Sequence, residues 1–248
     1  MSQRIALVTG GIGGLGTAIC RRLAEAGRRV IAADLGTRTD RVDRFLEEAR
    51  GFAGPVDFEP VDVASHESCA ELIDRIAKRV GQVEILVNAA GITRDVTLRN
   101  MEPAQWNEVM RVNLDGVYNV SRAVVEGMCV RGFGRVVNIS SVNGQTGQFG
   151  QTNYSAAKAG MHGFTMALAR EVARKGVTVN SVSPGYFRTE MVMAIPDHVR
   201  EDILAKIPVG RFGEPAEVAR VVEFLASDDA GYITGQNVGI NGGYFMDF

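Results

Sequence analysis

The stretch Arg4-Ile5-Ala6-Leu7-Val8-Thr9-Gly10-Gly11-Ile12-Gly13-Gly14-Leu15-Gly16 decides the fold. Its first six residues make an apolar run that reads as a short strand. The glycines that follow allow a tight turn and a close approach of backbone to a ligand. A helical run from Thr17 to Ala26 comes next. At a helix N-terminus, exposed amide groups and the helix dipole favour an anion. Strand, glycine loop and helix in this order are the context in which such a loop cradles the pyrophosphate of a dinucleotide. The spacing, Gly10-x-x-x-Gly14-x-Gly16, differs from the commonest Gly-x-Gly-x-x-Gly form. A second apolar run, Arg29-Val30-Ile31-Ala32-Ala33, ends in Asp34, where an acid can bond the adenosine ribose hydroxyls.

Outward from this unit, strand-like and helix-like segments alternate. Further strands are predicted at Val56–Val61, Glu84–Asn88, Gly134–Ser140, Thr178–Ser183 and Asn237–Asn241. Helices are predicted at Arg41–Ala49, His66–Val80, Pro103–Val130, Thr152–Lys175 and Pro215–Ala226. Runs such as Ile85-Leu86-Val87 and Arg135-Val136-Val137-Asn138-Ile139 do not alternate, as in strands buried on both faces. The pattern predicts an α/β fold: one Rossmann-type domain over residues 1–248, a doubly wound parallel sheet of about seven strands with helices on both faces. The segment Pro184–Pro208 lacks a clear element apart from a helical piece around His198–Lys206, and its length suggests a lid over a substrate, around 185–208.

Composition narrows the function. The 248 residues are 46% hydrophobic with a net charge of −2, and the mean hydropathy is +0.01. A large core follows, and no basic run points to nucleic acid. Cys20, Cys69 and Cys129 are far apart, and His66, His162 and His198 form no ligand cluster, so no metal site is expected. The apolar segments are strand-length, and the start of the chain lacks the pattern of a secretory signal. No membrane association is expected, and the cytoplasm is the expected compartment.

In doubly wound sheets ligands bind beyond the carboxyl ends of the strands. Gly10 to Gly16, Asp34, Asp62-Val63, Asn88-Ala89-Ala90-Gly91, Ser141 and Pro184-Gly185 each follow a predicted strand. Gly91 also reads as a plain turn residue, and Asp62 as a helix-cap or loop acid. Tyr154 and Lys158 lie one helical turn apart on one face. An ammonium beside a phenol favours the phenolate, so Tyr154 is expected to titrate below the ordinary value of about 10 and to exchange a proton with a substrate oxygen. Ser141, arriving from a strand end, can hold the same oxygen. Alone, a tyrosine and a lysine at this spacing read equally as an amphipathic helix with a surface lysine.

From end to end the chain resembles the short-chain dehydrogenase/reductase family. The resemblance rests on Thr9-Gly10-x-x-x-Gly14-x-Gly16, Asn88-Ala89-Ala90-Gly91, Asn113 in Val112-Asn113-Leu114, Ser141, Tyr154, Lys158 and Pro184-Gly185. It implies that Tyr154 is the acid/base, that Lys158 also holds the nicotinamide ribose, that Ser141 orients a carbonyl and that Asn113 organises a water in the proton relay. It implies a nicotinamide dinucleotide along Gly10, Gly11, Ile12, Gly14, Leu15, Gly16, Asp34, Asp62, Val63, Asn88, Ala89 and Gly91. Tyr154, Lys158, Pro184, Gly185 and Thr189 complete that contact set, with Asp62 toward the adenine and Thr189 toward the carboxamide. Ala89 departs from the second asparagine of many relatives, removing an amide but leaving the backbone free to pass the cofactor.

Within the family, Asn138 to Tyr154, Gly91 to Val96 and Gly163 to Leu168 are similar to the branch that reduces acetoacetyl-CoA. This implies an acyl-CoA substrate and a homotetramer. Asp95, Gln148, Phe149, Gln151 and Tyr186 are then expected around the acyl end, with amides for its oxygens and Phe149 as an apolar wall. Arg94 and Arg99 read either as solvated or as partners for coenzyme A phosphates. Alternatives are reduction of an acyl-carrier-protein thioester and a dinucleotide sensor without chemistry. The branch commonly uses NADPH, whereas Asp34 would set a carboxylate against its 2′-phosphate. NADH is therefore the expected donor, with NADPH open because Arg38 and Arg41 lie nearby.

Overall fold

A computed structural model describes residues 3–193 and 196–246. Strands β1 (Ile5–Thr9), β2 (Arg29–Asp34), β3 (Val56–Pro60), β4 (Ile85–Asn88), β5 (Gly134–Ile139), β6 (Val177–Pro184) and β7 (Asn237–Ile240) form one parallel sheet in the order 3-2-1-4-5-6-7. Parallel strands need covering on both faces, and the central ones are accordingly buried throughout: every residue of β1, β4, β5 and β6 is buried, polar ones such as Asn138 and Asn180 included. The edge strands β3 and β7 are only partly buried. Along β1 the side chains alternate between two cores. Ala6 and Val8 face one packed by helices α1 (Gly14–Glu25), α2 (Thr39–Ala49) and α10 (Pro215–Leu225). Ile5 and Leu7 face the other, packed by α3 (His66–Arg79), α5 (Gly116–Arg131) and α7 (Thr152–Val172).

The order reverses direction at β1 and β4, which opens a crevice beyond their carboxyl ends. The remaining helices are α4 (Pro103–Met110), α6 (Asn143–Thr146), α8 (Glu190–Met193) and α9 (Asp197–Leu204). The predicted strands are present with small changes of boundary. The first helix begins at Gly14 rather than Thr17, because the glycine loop itself turns into it. The predicted helix Pro103–Val130 is interrupted by a π turn over Arg111–Asp115, between α4 and α5. Short α6 and α8 were not anticipated. In the expected lid, α8 and α9 supply the helical pieces, and Ala194 and Ile195 lie outside the described residues. No described helix is long and apolar enough to cross a membrane.

Candidate active site at the switch point of the sheet

The glycine loop has the shape a bound pyrophosphate needs. Gly10 has φ 66°, and a Cβ there would stand 2.7 Å from the Ala90 amide nitrogen. A Cβ on Gly16 would overlap the Gly10 carbonyl oxygen. Only glycine fits either position. Gly13 precedes α1 with no side chain capping the helix and no acid in its first turn, so the first amides point out toward the cleft for an anion. The Thr9 hydroxyl accepts hydrogen bonds from the amides of Ala89 (3.2 Å) and Ala90 (3.3 Å), tying the end of β1 to the loop after β4.

From this loop a cleft of about 640 Å³ runs across the strand ends. Of the residues predicted for a cofactor, Gly10, Gly14, Leu15, Gly16 and Asp34 line it at one end. Asp62, Val63, Ala89, Gly91, Thr189 and Tyr154 continue its wall. At the end of the cleft after β2, Asp34 Oδ1 accepts the Leu35 N–H at 2.8 Å and faces Arg38 Nη1 at 3.5 Å. Oδ2 makes no hydrogen bond to a described residue, so it is free to accept. Burial raises the Asp34 pKa, while the Leu35 amide, Arg38 and Arg41 oppose the rise. Asp62 Oδ1 accepts the Ala64 N–H at 2.9 Å and so also shapes its own loop. A groove whose loop requires glycine at Gly10 and Gly16, with an uncapped helix start at its centre and a free carboxylate oxygen at its end, fits a dinucleotide.

At the other end lie the groups that can move a proton. Ser141 Oγ accepts the Asn143 N–H at 3.1 Å and also interacts with the Tyr154 hydroxyl, which works against the rise of the Tyr154 pKa. Lys158 is 3% exposed. Its Nζ donates to the Ile139 carbonyl at 2.7 Å and lies 5.7 Å from the centre of the Tyr154 ring. Asn113 is fully buried in the π turn, where its amide clasps Ile92: Oδ1 accepts the Ile92 N–H at 2.8 Å and Nδ2 donates to the Ile92 carbonyl at 2.9 Å. A Cβ on Gly91 would come 3.4 Å from Asn113 Oδ1 and 3.6 Å from Lys158 Nζ, so both reach the cleft floor at this glycine.

The electrostatics correct one expectation. Tyr154 was expected below its ordinary pKa because of Lys158. Burial raises it instead, and the Ser141 hydrogen bond only partly opposes the rise. Burial also pushes the Lys158 pKa down to about 8. Burial weighs against the charged form of each group, and Lys158 is not among the groups that lower the Tyr154 pKa. The tyrosine therefore stands as a protonated phenol, the form that gives a proton.

Several predicted residues lie off the cleft wall. The Asn88 side chain is 2% exposed and turned into the interior, where Nδ2 donates to Asn138 Oδ1 (2.9 Å) and Ser121 Oγ (3.2 Å). Ile12 borders a groove on the other side of α1, Gly11 packs on Ala32, and Gly185 packs on Asn241. Among the substrate candidates, Gln151 links Asn143 (2.9 Å) to Asp95 (2.8 Å). Gln148 and Arg99 are exposed, and Phe149 is 87% exposed. Tyr186 meets Tyr244 edge to face at 5.4 Å, and burial pushes its pKa up to about 12. Arg94 is held by Glu108 at 2.8 and 2.6 Å, a pairing that sequence spacing does not reveal. Cleft residues that the sequence reading passed over include Leu35, Ile92, Val112 and Glu190. Their positions after strands β2 and β4 and after β6 were the available signal.

Fold and cleft together define a Rossmann-type α/β protein with a dinucleotide-shaped groove that ends at a tyrosine and a lysine. A sequence profile described as enoyl-(acyl carrier protein) reductase matches residues 10–245. The chain is 54% identical to an acetoacetyl-CoA reductase of Allochromatium vinosum over 98% of its own length and 99% of the relative's. It is 52% identical to an acetoacetyl-CoA reductase of Cupriavidus necator, over 99% of the chain and 100% of the relative. A 3-oxoacyl-[acyl-carrier-protein] reductase of Thermotoga maritima is 42% identical over 98% of both chains. The chain belongs to the short-chain dehydrogenase/reductase family, and its cofactor is a nicotinamide dinucleotide.

Proposed function

We propose that the protein reduces the 3-keto group of acetoacetyl-CoA to (R)-3-hydroxybutyryl-CoA, with NADH as the preferred donor. The observation that carries this reading is the placement of Tyr154 on the cleft wall with Lys158 Nζ 5.7 Å from the centre of its ring. The nicotinamide ring supplies the hydride. Gly10, Gly14 and Gly16 with the start of α1 would hold the pyrophosphate, Asp34 would hold the adenosine ribose, and Thr189 would meet the carboxamide. Ser141 and Tyr154 bind the keto oxygen, and Tyr154 gives it a proton as its negative charge develops. Lys158 supports the phenolate left behind and the nicotinamide ribose. The clasp of Asn113 on Ile92 fixes the turn that completes the relay.

Gln148, Phe149, Gln151 and Tyr186 are proposed to surround the acyl group, with the segment after Gly185 closing over it to exclude water. Asp95 orients Gln151, and Arg99, which has no ion pair among the described residues, is the candidate for a coenzyme A phosphate. An acidic carrier protein would need a broad basic rim. Glu108 neutralises Arg94 there, which favours the coenzyme A thioester. The assay is oxidation of NADH followed by absorbance, with acetoacetyl-CoA and the corresponding carrier-protein thioester compared under the same conditions. Higher kcat/KM on the carrier thioester would transfer the assignment to that substrate, and no turnover of either would mark a sensor.

A further inference from the structure

Asn153 is fully buried although it is only the second residue of α7, just ahead of Tyr154. The helix takes no side-chain cap from Gln151 at its start. The first amides of a helix have no carbonyl behind them to accept their protons. Asn153 Oδ1 accepts one of these, the N–H of Tyr154 itself, at 2.8 Å. Its Nδ2 donates to the carbonyls of Arg94, at 3.2 Å, and Gln105, at 3.4 Å. The three bonds reach three pieces of chain: α7, the loop after β4, and α4. A helix start favours an acid through its dipole. A carboxylate would serve the Tyr154 amide but has no proton for either carbonyl, so the two carbonyls are what call for an amide here. Arg94 lies two residues beyond Ile92, which the Asn113 amide clasps from the π turn. One loop is thus gripped by two asparagines, one in the π turn and one next to the candidate acid.

We propose that Asn153 is a positioning residue for the reduction: by tying the first turn of α7 to the loop after β4 and to α4, it sets where the Tyr154 hydroxyl stands relative to Ser141 and Asn113. Asn153 lies off the cleft wall and acts through Tyr154. The proposal rests on the reading of Tyr154 as the proton donor. An offset of about 1 Å at a reacting group can cost about a hundredfold in rate. Asn153 therefore governs turnover and not the affinity for the dinucleotide, which the glycine loop holds at the other end of the cleft.

Asn153→Leu keeps much of the side-chain volume and removes all three bonds. Its kcat with acetoacetyl-CoA should fall about tenfold to a hundredfold, while the NADH dissociation constant, read by nicotinamide fluorescence, stays within about twofold of wild type. Asn153→Asp supplies a readout that a purely structural role would not move. In its neutral form the new carboxyl has an O–H for a carbonyl and an oxygen for the Tyr154 amide; ionised, it meets both carbonyls without a proton. Burial raises the pKa of such an acid. Turnover in this variant should therefore recover as pH is lowered through the neutral range, where the wild-type rate changes little. Wild-type kcat in Asn153→Leu, an NADH affinity that falls in step with kcat, or an Asn153→Asp loss that is the same at every pH would each overturn the proposal. Should the leucine variant fold poorly, the two ends of the Asn153→Asp profile, measured on one preparation, decide the matter. Tyr154→Phe is assayed alongside. Wild-type turnover there would sink the reading of Tyr154, whereas wild-type turnover in Asn153→Leu beside an inactive Tyr154→Phe sinks the positioning role alone.

Discussion

At Tyr154 the protein holds a phenol in the state needed to give a proton, and Lys158 decides over what range that gift is supported. Deleting the hydroxyl in Tyr154→Phe keeps the ring and should lower kcat by about a hundredfold or more. Wild-type turnover in that variant would remove the tyrosine from the chemistry. The Lys158 ammonium has its pKa depressed to about 8, so it is present below that value and lost as pH rises through it. Reduction should therefore fall on the alkaline side near that pH, and a pH profile of kcat/KM measures it. The same burial has a cost in stability. The ordinary value of 10.5 drops to about 8 on folding, so the unfolded chain binds the extra proton more readily. The folded state is thus penalised at neutral pH and regains stability as pH rises from about 8 toward 10.5. Lys158→Met should abolish activity and yet stabilise the apo protein by up to about 3 kcal/mol, less whatever the Ile139 hydrogen bond contributes, seen as a higher melting temperature. At the other end of the cleft, Asp34→Ser should move preference toward NADPH, read as the ratio of kcat/KM for the two donors.

At the scale of elements, the π turn between α4 and α5 is a device for placing one amide. Asn113→Ala would leave the N–H and carbonyl of Ile92 without their partner and cost about 1–3 kcal/mol, seen as a lower melting temperature together with lost turnover. In the loop between α6 and α7, Phe149→Ala should chiefly raise KM for acetoacetyl-CoA, and unchanged thioester kinetics would place Phe149 outside the substrate path. These elements also mark how far the sequence could be read. The strands were legible because unbroken apolar runs such as Ile85-Leu86-Val87 can only be covered on both sides. The glycine loop and Asp34 were legible because their chemistry is local. The π turn was not, because the spacing within α4 and within α5 stays helical on either side of it, and the bonds its Asn113 makes are to Ile92, distant in sequence. The direction of the Tyr154 shift was missed for a related reason. A helical spacing places Lys158 near the ring but says nothing of the dry wall that surrounds them both.

For the molecule as a whole, resemblance implies assembly, and the surface offers material for it. Tyr118 and Val130 on α5 and Met166 on α7 are 50%, 78% and 53% exposed on helices that otherwise pack the core. We expect a homotetramer of about four times 26.7 kDa, which light scattering would measure directly. A monomer at micromolar concentration would contradict it. β1 and β4 stay paired up to Thr9 and Asn88, and the crevice opens only beyond their ends. There the Thr9 hydroxyl buttons the Ala89–Ala90 backbone down onto the end of β1. A Thr9→Val protein keeps the shape of the side chain and the Ala89 bond to the Thr9 carbonyl, but frees the Ala90 amide. The wall of the cleft after β4 should then loosen, so cofactor should dissociate faster from that variant while the strand pairing, and with it the fold, persists.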